Sequence, residues 1–209
     1  MDGRQACTLL WILLLGAALP HAAAQITVMP ASPSSTEAAA GAATPLEQAR
    51  AAAARARQSG ALPTPDNPGW RDAIDLGEAA RDAAPDDPDT LRFLAETYST
   101  LSWDARAWEA WEAYLAAGGT ADAAAITALS EAGRELGYAR YSAGELAAAA
   151  AVFERIVELD PENLEATTWL ARIALEQGRS AEATRSWQRV LALRPGDPAA
   201  RRTRRRSRP

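Results

Sequence analysis

Ser130–Asn163 reads SEAGRELGYARYSAGELAAAAAVFERIVELDPEN, and Leu164–Asp197 reads LEATTWLARIALEQGRSAEATRSWQRVLALRPGD. The two stretches are one pattern with a period of about 34 residues. Leu136 falls on Leu170, Gly137 on Ala171, Gly144 on Gly178, Ala149 on Ala183, Phe153 on Trp187 and Pro161 on Pro195. A fainter copy, PDTLRFLAETYSTLSWDARAWEAWEAYLAAGGTA, begins at Pro88 and supplies Leu94, Ala95, Tyr98, Ala107 and Trp111 at the matching steps.

Each position has a physical role. Small residues at Ala95, Gly137 and Ala171 let the first helix of a pair approach the second, and Ala107, Ala149 and Ala183 do the same from the other side. Trp111, Phe153 and Trp187 fill the space that opens one turn further on. Gly144 and Gly178 stand where a left-handed backbone ends a helix. Pro161 and Pro195 stop the second helix and start the next unit. This arrangement resembles the tetratricopeptide repeat family, whose pattern is W-x2-L-G-x2-Y…A-x3-F…P. There are departures: Leu91, Gly133 and Thr167 replace the early Trp, and Arg140 and Ala174 take the Tyr step, with Tyr138 and Tyr141 nearby.

The expected fold is all-α, a short right-handed solenoid of antiparallel helix pairs. Residues 44–87 read as a divergent N-terminal pair, 88–121 as a first repeat, 122–163 as a second with an extended first helix, 164–197 as a third, and 198–209 as an Arg-rich tail. Thr44-Pro45-Leu46-Glu47 is a capping box with Pro at the first helical position and opens a helix to about Arg57. A Pro-rich loop follows, then a helix over Trp70–Ala83 in which Gly77 stands where the large aromatic belongs. Helices are expected over Asp104–Ala116, Glu145–Leu159, Glu162–Gln177 and Ala181–Leu193. The extra residues Asp122–Leu129, about two turns, predict one long helix from Ala121 to Ser142, capped by Thr120 and projecting beyond its neighbours.

Roughly a quarter of the chain is Ala, several times ordinary usage, which favours closely spaced helices. The seven Trp must then carry much of the packing. All 22 basic residues are Arg. Met1–Ala24 reads as a secretory signal peptide: Leu9–Leu19 is long enough for an h-region and too short to span a bilayer, and Ala22-Ala23-Ala24 offers a cleavage site. The alternative is an uncleaved signal anchor tethering the chain to a membrane. Residues 25–43, rich in Ala, Ser, Thr and Pro, read as a flexible linker. Cys7 and His21 are the single Cys and His, and both fall in the signal segment. Export would leave a chain without Cys, His or Lys. That excludes disulfides, thiol and imidazole catalysis, Schiff bases and the usual zinc ligands. No cofactor and no metal is expected.

The outward positions of the first helices recur at i, i+4 and i+7. They place Arg92, Glu96 and Ser99, then Arg134, Tyr138 and Tyr141, then Thr168, Arg172, Leu175 and Glu176 along one groove. The family resemblance implies that such a groove binds a protein or peptide, and Arg and Tyr are the types that dominate binding hot spots. The Lys and Asn of the family's carboxylate-clamp subset are missing from these positions. The alternative is that Arg92, Arg134 and Arg172 pair with Glu96 and Glu176 on a solvated face. Trp103, in an inter-helix turn, is either an exposed anchor or a packing residue, with Trp108 beside it.

Arg201, Arg202, Arg204, Arg205, Arg206 and Arg208 crowd the end of a chain of formal charge −5, so the rest carries −11. This end reads either as a disordered solubilising segment or as a weak contact to an anionic envelope polymer or lipid; nucleic acid is not expected. The functional expectation is therefore an exported, non-catalytic scaffold of the cell envelope or exterior. The alternatives are a peripheral binder acting through the Arg run and, more remotely, a carbohydrate-active enzyme with a carboxylate pair. Oligomeric state, partner and pathway are left open.

Overall fold

Most of the described helices begin where the sequence supplies a proline or a polar side-chain cap. The computed structural model describes residues 43–64 and 66–206, with side chains described as far as Arg202. Readings of the signal segment and most of the linker therefore lie outside the described residues. Helix α1 (Pro45–Gln58) opens on the expected capping box: the Glu47 amide donates to Thr44 Oγ1 at 3.2 Å and the Thr44 amide to the Glu47 carboxylate at 2.7 Å. Asn67 caps α2 (Pro68–Ala83), Asp87 caps α3 (Pro88–Thr100), and α4 spans Asp104–Ala116. Next come α5 (Ala123–Ser142), α6 (Leu146–Leu159), α7 (Leu164–Glu176), capped by Asn163, and α8 (Ser180–Leu193). The last described helix is α9 (Pro198–Arg206).

These helices pack as successive pairs, α1–α2, α3–α4, α5–α6 and α7–α8, with α9 against α8. The fold is the expected all-α solenoid, and no strand occurs among the described residues. Its core is a series of clusters rather than one centre, as neighbour-to-neighbour packing requires. The first holds Trp70, Leu94, Tyr98, Trp111, Tyr114 and Leu129, among others. The second gathers around Phe153, Ile156 and Ile173, and the third around Trp187, Val190 and Ala200. Ala95, Ala107, Ala149, Ala171 and Ala183 are all at most 1% exposed, as their assignment to helix contacts demands. Trp187 is buried, and its indole N–H has no hydrogen-bond partner among the described residues, so packing alone holds the ring.

Three expectations need correction. First, α5 starts at Ala123, not Ala121. Its cap is Asp122, whose carboxylate accepts from the Ala125 amide at 2.8 Å, while the Thr120 carbonyl accepts from Tyr114 Oη at 3.1 Å. Its early turns do not project freely, because Ala125 and Leu129 are buried in the same cluster as Trp111. Second, the Arg-rich end is not a plain disordered tail. Asp197 accepts from the Ala199 and Ala200 amides to start α9, and buried Ala200 packs into the third cluster. This helix packs against α8 and covers the outer side of the third cluster. Third, Gly77 is not a lost aromatic. A Cβ there would lie 2.8 Å from Phe93 and Leu94, so the ring enters from α3 instead.

Left-handed residues close the turns. Gly60, Gly118, Gly144 and Gly178 have φ of 67–86°, and Ser102, at the step equivalent to Gly144, has φ 55°. A left-handed conformation costs a non-glycine residue about 1–2 kcal/mol, whereas glycine gives up about 0.4–1 kcal/mol through the unfolded state. Ser102→Gly should therefore raise stability by up to about 1 kcal/mol, and Gly144→Ala should lower it by about 1 kcal/mol. Urea melts check both signs. Trp111→Ala and Trp187→Ala should each cost about 3–5 kcal/mol in circular-dichroism melts; a loss below about 1 kcal/mol would contradict their core role.

Candidate functional site

The first helices of the three repeats, α3, α5 and α7, carry the groove residues, and the structure divides these into two kinds. The first kind ties helices together. Arg92 Nε donates to Glu96 Oε1 at 2.9 Å, and Arg92 Nη1 donates to Asp122 Oδ2 at 2.9 Å and to Tyr114 Oη at 3.3 Å. Those hydrogen bonds, to Asp122 first, then Glu96 and Tyr114, raise the Arg92 pKa further and hold the guanidinium charged. Arg92 thus joins α3 to the N-terminus of α5. Ser99 Oγ accepts from Trp111 Nε1 at 3.1 Å and donates to the Ala95 carbonyl at 2.8 Å, which orients a core ring. Thr168 belongs to neither kind: its Oγ1 donates back to the Leu164 carbonyl within α7 at 2.7 Å.

The second kind converges on a residue missing from the sequence-derived set, Trp169. Its ring lies 5.8 Å from Tyr138, 5.0 Å from Tyr141 and 5.7 Å from Phe153, which it stacks against at 7°. The Arg172 guanidinium sits over the same ring at 5.0 Å, a cation–π contact. The Tyr141 hydroxyl donates to the Glu176 carboxylate, linking α5 to α7, and this bond together with burial holds the Tyr141 phenol above its ordinary pKa. Glu176 is therefore a partner of Tyr141, and the expected Arg172–Glu176 pairing gives way to Arg172 on Trp169. Tyr138 in this cluster is 52% exposed, and Leu175, further along α7, is 45% exposed.

Arg134 pairs with its neighbour Glu135 at 2.7 Å. Glu135 also acts on Asp104: burial first, and then the Glu135 charge, raise the Asp104 carboxyl above its ordinary value. Asp122 shows the opposite. The Ala125 amide and then Arg92 lower its pKa. Trp103 is a packing residue, stacked on Tyr98 at 5.7 Å and covered by Arg106 at 4.7 Å. Trp108 rests against Gly133, where a Cβ would come within 2.3 Å of the ring. Among the described residues no group of three or more His, Cys, Asp or Glu has metal-holding geometry, and no helix is long and apolar enough to cross a membrane.

These helix pairs, with their small contact residues and turn glycines, define a tetratricopeptide-type solenoid. Residues 140–206 match the tetratricopeptide repeat family model, which takes in α9 as well as the α6–α8 region. No curated protein matches this chain in sequence. Among solved structures it is similar to a crystal structure of MamA protein, with 19% identity, a TM-score of 0.47, and coverage of 76% of this chain and 78% of that one. It is also similar to MamA AMB-1, with 21% identity, a TM-score of 0.45, and coverage of 76% and 78%.

The two aspartates should respond to pH with opposite signs. Asp122, with its pKa lowered in the folded state, contributes stability that is present above the unfolded value near 3.8 and lost as pH falls through the folded value. Asp104, with its pKa raised, favours the folded state only at low pH and opposes it once both states ionise. Asp122→Asn should lower the melting temperature more at pH 7 than at about pH 3, whereas Asp104→Asn should compare more favourably with wild type at pH 7 than at about pH 3. Thermal melts at the two pH values check this.

Proposed function

We propose that this protein is an exported, non-catalytic scaffold that binds a protein or peptide on the α5–α7 face, around Trp169. One observation carries the reading: an aromatic cluster that leaves Tyr138 half exposed, with Leu175 open further along α7. Most large apolar side chains of the described solenoid are buried in helix contacts, so an exposed Tyr packed on a Trp, with an exposed Leu on the same helix as that Trp, marks a contact surface. Tyr, Trp and Arg are the residues through which interfaces draw most of their affinity. The matched family supports protein interaction as the general role. Export rests on the apolar run Leu9–Leu19 and the Ala22-Ala23-Ala24 site.

The fold narrows which variants test this. Arg92 holds the cap of α5, so its loss disturbs the scaffold, whereas Tyr138 and Leu175 can be truncated from the surface. The paired change Tyr138→Ala, Leu175→Ala should leave the melting temperature within about 2 °C of wild type and reduce recovery of the bound partner from envelope or medium extract at least about tenfold. Equal recovery would exclude this face. Intact mass of the protein from the exporting cell should begin at Gln25; an intact Met1 would exclude cleavage.

A further inference from the structure

Helix α5 has a cleft on each side. One, of about 260 Å³, lies between α5 and the α6–α7 corner, with Ile126, Phe153 and Ile156 supplying an apolar lining. Its carboxylates are Glu131, Asp160 and Glu165. Ser130 borders it, and the Ser130 hydroxyl oxygen is buried without a hydrogen-bond partner among the described residues. The other, of about 340 Å³, lies between α5 and the α3–α4 turn, with Asp104, Glu131 and Glu135 as its carboxylates. Glu131 and Arg134 belong to both, so the clefts meet across α5.

The charge of this surface is one-sided. Together the clefts present Asp104, Glu131, Glu135, Asp160 and Glu165 against a single cation, Arg134, which Glu135 already engages. Glu131 and Glu165 have no ion-pair partner among the described residues. Asp160 accepts from the Glu162 amide and from Asn163, which orients it without neutralising it. Burial first, and the Glu135 charge second, raise the Asp104 carboxyl, while Arg134 lowers it. Such a surface repels an anionic ligand and favours a cationic one. An apolar lining beneath acidic groups suits a Lys or Arg side chain, whose methylene stem is apolar and whose head is charged.

We propose that the two clefts flanking α5 form one acidic groove that receives a cationic peptide segment of a partner protein, with Lys or Arg heads seated beside Glu131 and Glu165. This rests on the binding face proposed above and names its ligand chemistry. The groove selects charge, and the neighbouring Trp169 cluster supplies apolar contact.

The test uses the full chain and fluorescence anisotropy with a labelled peptide of alternating Ala and Arg, and an Ala–Glu peptide as control. The Arg peptide should saturate and the Glu peptide should not bind. The paired change Glu131→Gln, Glu165→Gln should weaken Arg-peptide binding about tenfold. The paired change Asp75→Asn, Glu154→Gln removes the same charge from exposed sites outside both clefts and should leave binding unchanged. Equal weakening by both pairs would mean attraction to net charge alone and would overturn the proposal. If partner recovery depends on Tyr138 while peptide binding ignores Glu131 and Glu165, the binding face stands and the acidic groove falls. Self-association lost both in the Glu131→Gln, Glu165→Gln chain and in a chain with Ser at Arg204, Arg205, Arg206 and Arg208 would assign the groove to a second copy and overturn the partner proposal.

Discussion

A ring pressed into the notch of a side-chain-free helix position is the contact on which this solenoid depends. The Phe153 ring lies where a Cβ on Gly137 would come within 2.7 Å, Trp108 meets Gly133 in the same way, and Phe93 meets Gly77. Each glycine weakens its helix by about 1 kcal/mol relative to Ala, and each buried ring returns more than that, about 1.5–3 kcal/mol. The exchange is favourable only where the ring and the notch face each other, so it fixes the register of neighbouring helices as well as their distance. Trp108 extends this further: it packs against the first and second core clusters together, and so joins repeats that would otherwise share only a thin boundary.

The same contact explains what could be read from the sequence. Gly137 and Phe153 lie within one repeat, at family positions, and their meeting was legible. So were the left-handed glycines at 144 and 178 and the capping box at Thr44, because each rests on residues a few steps apart. Gly77 and Gly133 stand as gaps in the sequence pattern, because the rings that fill them come from neighbouring helix pairs. The order of partners across a turn is a tertiary fact with no local signal. The start of α5 was misplaced because two capping candidates, Thr120 and Asp122, stood two residues apart. Arg92, thirty positions upstream, holds Asp122 in place, although Asp122 would be a sound cap on local grounds alone.

Trp169 was missed for a narrower reason. The outward face of α7 was stepped through Thr168, Arg172 and Leu175, and Trp169 lies one residue off that path while still reaching Arg172 and Glu176 at helical spacing. Its partners Tyr138 and Tyr141 were identified, so the platform was half visible with its centre absent. The Arg-rich end was misread because six basic residues outweighed two alanines. Ala199 and Ala200 supply a small apolar contact, and Ala200 is enough to seat α9 on the third cluster.

Internal pairing determines which groove residues remain for a ligand. Arg92 is committed to Asp122 and Glu96, Arg155 to Glu112 across α4 and α6, Arg179 to Glu182, and Arg172 to an aromatic face. Of these, Arg92 and Arg155 sit at joints of the array, where a guanidinium fork bridges helices that packing alone leaves apart. Carboxylates outnumber arginines in the chain, so some acidic groups stay without an ion-pair partner, and Glu131 and Glu165 are two of these that line the clefts along α5. Burial first, and then the Glu135 charge, raise the Asp104 carboxyl there, so like-charge repulsion is the smaller part of its cost. A cationic guest relieves that repulsion and gains the apolar lining as well, so the groove's ligand preference follows from how the scaffold spends its arginines.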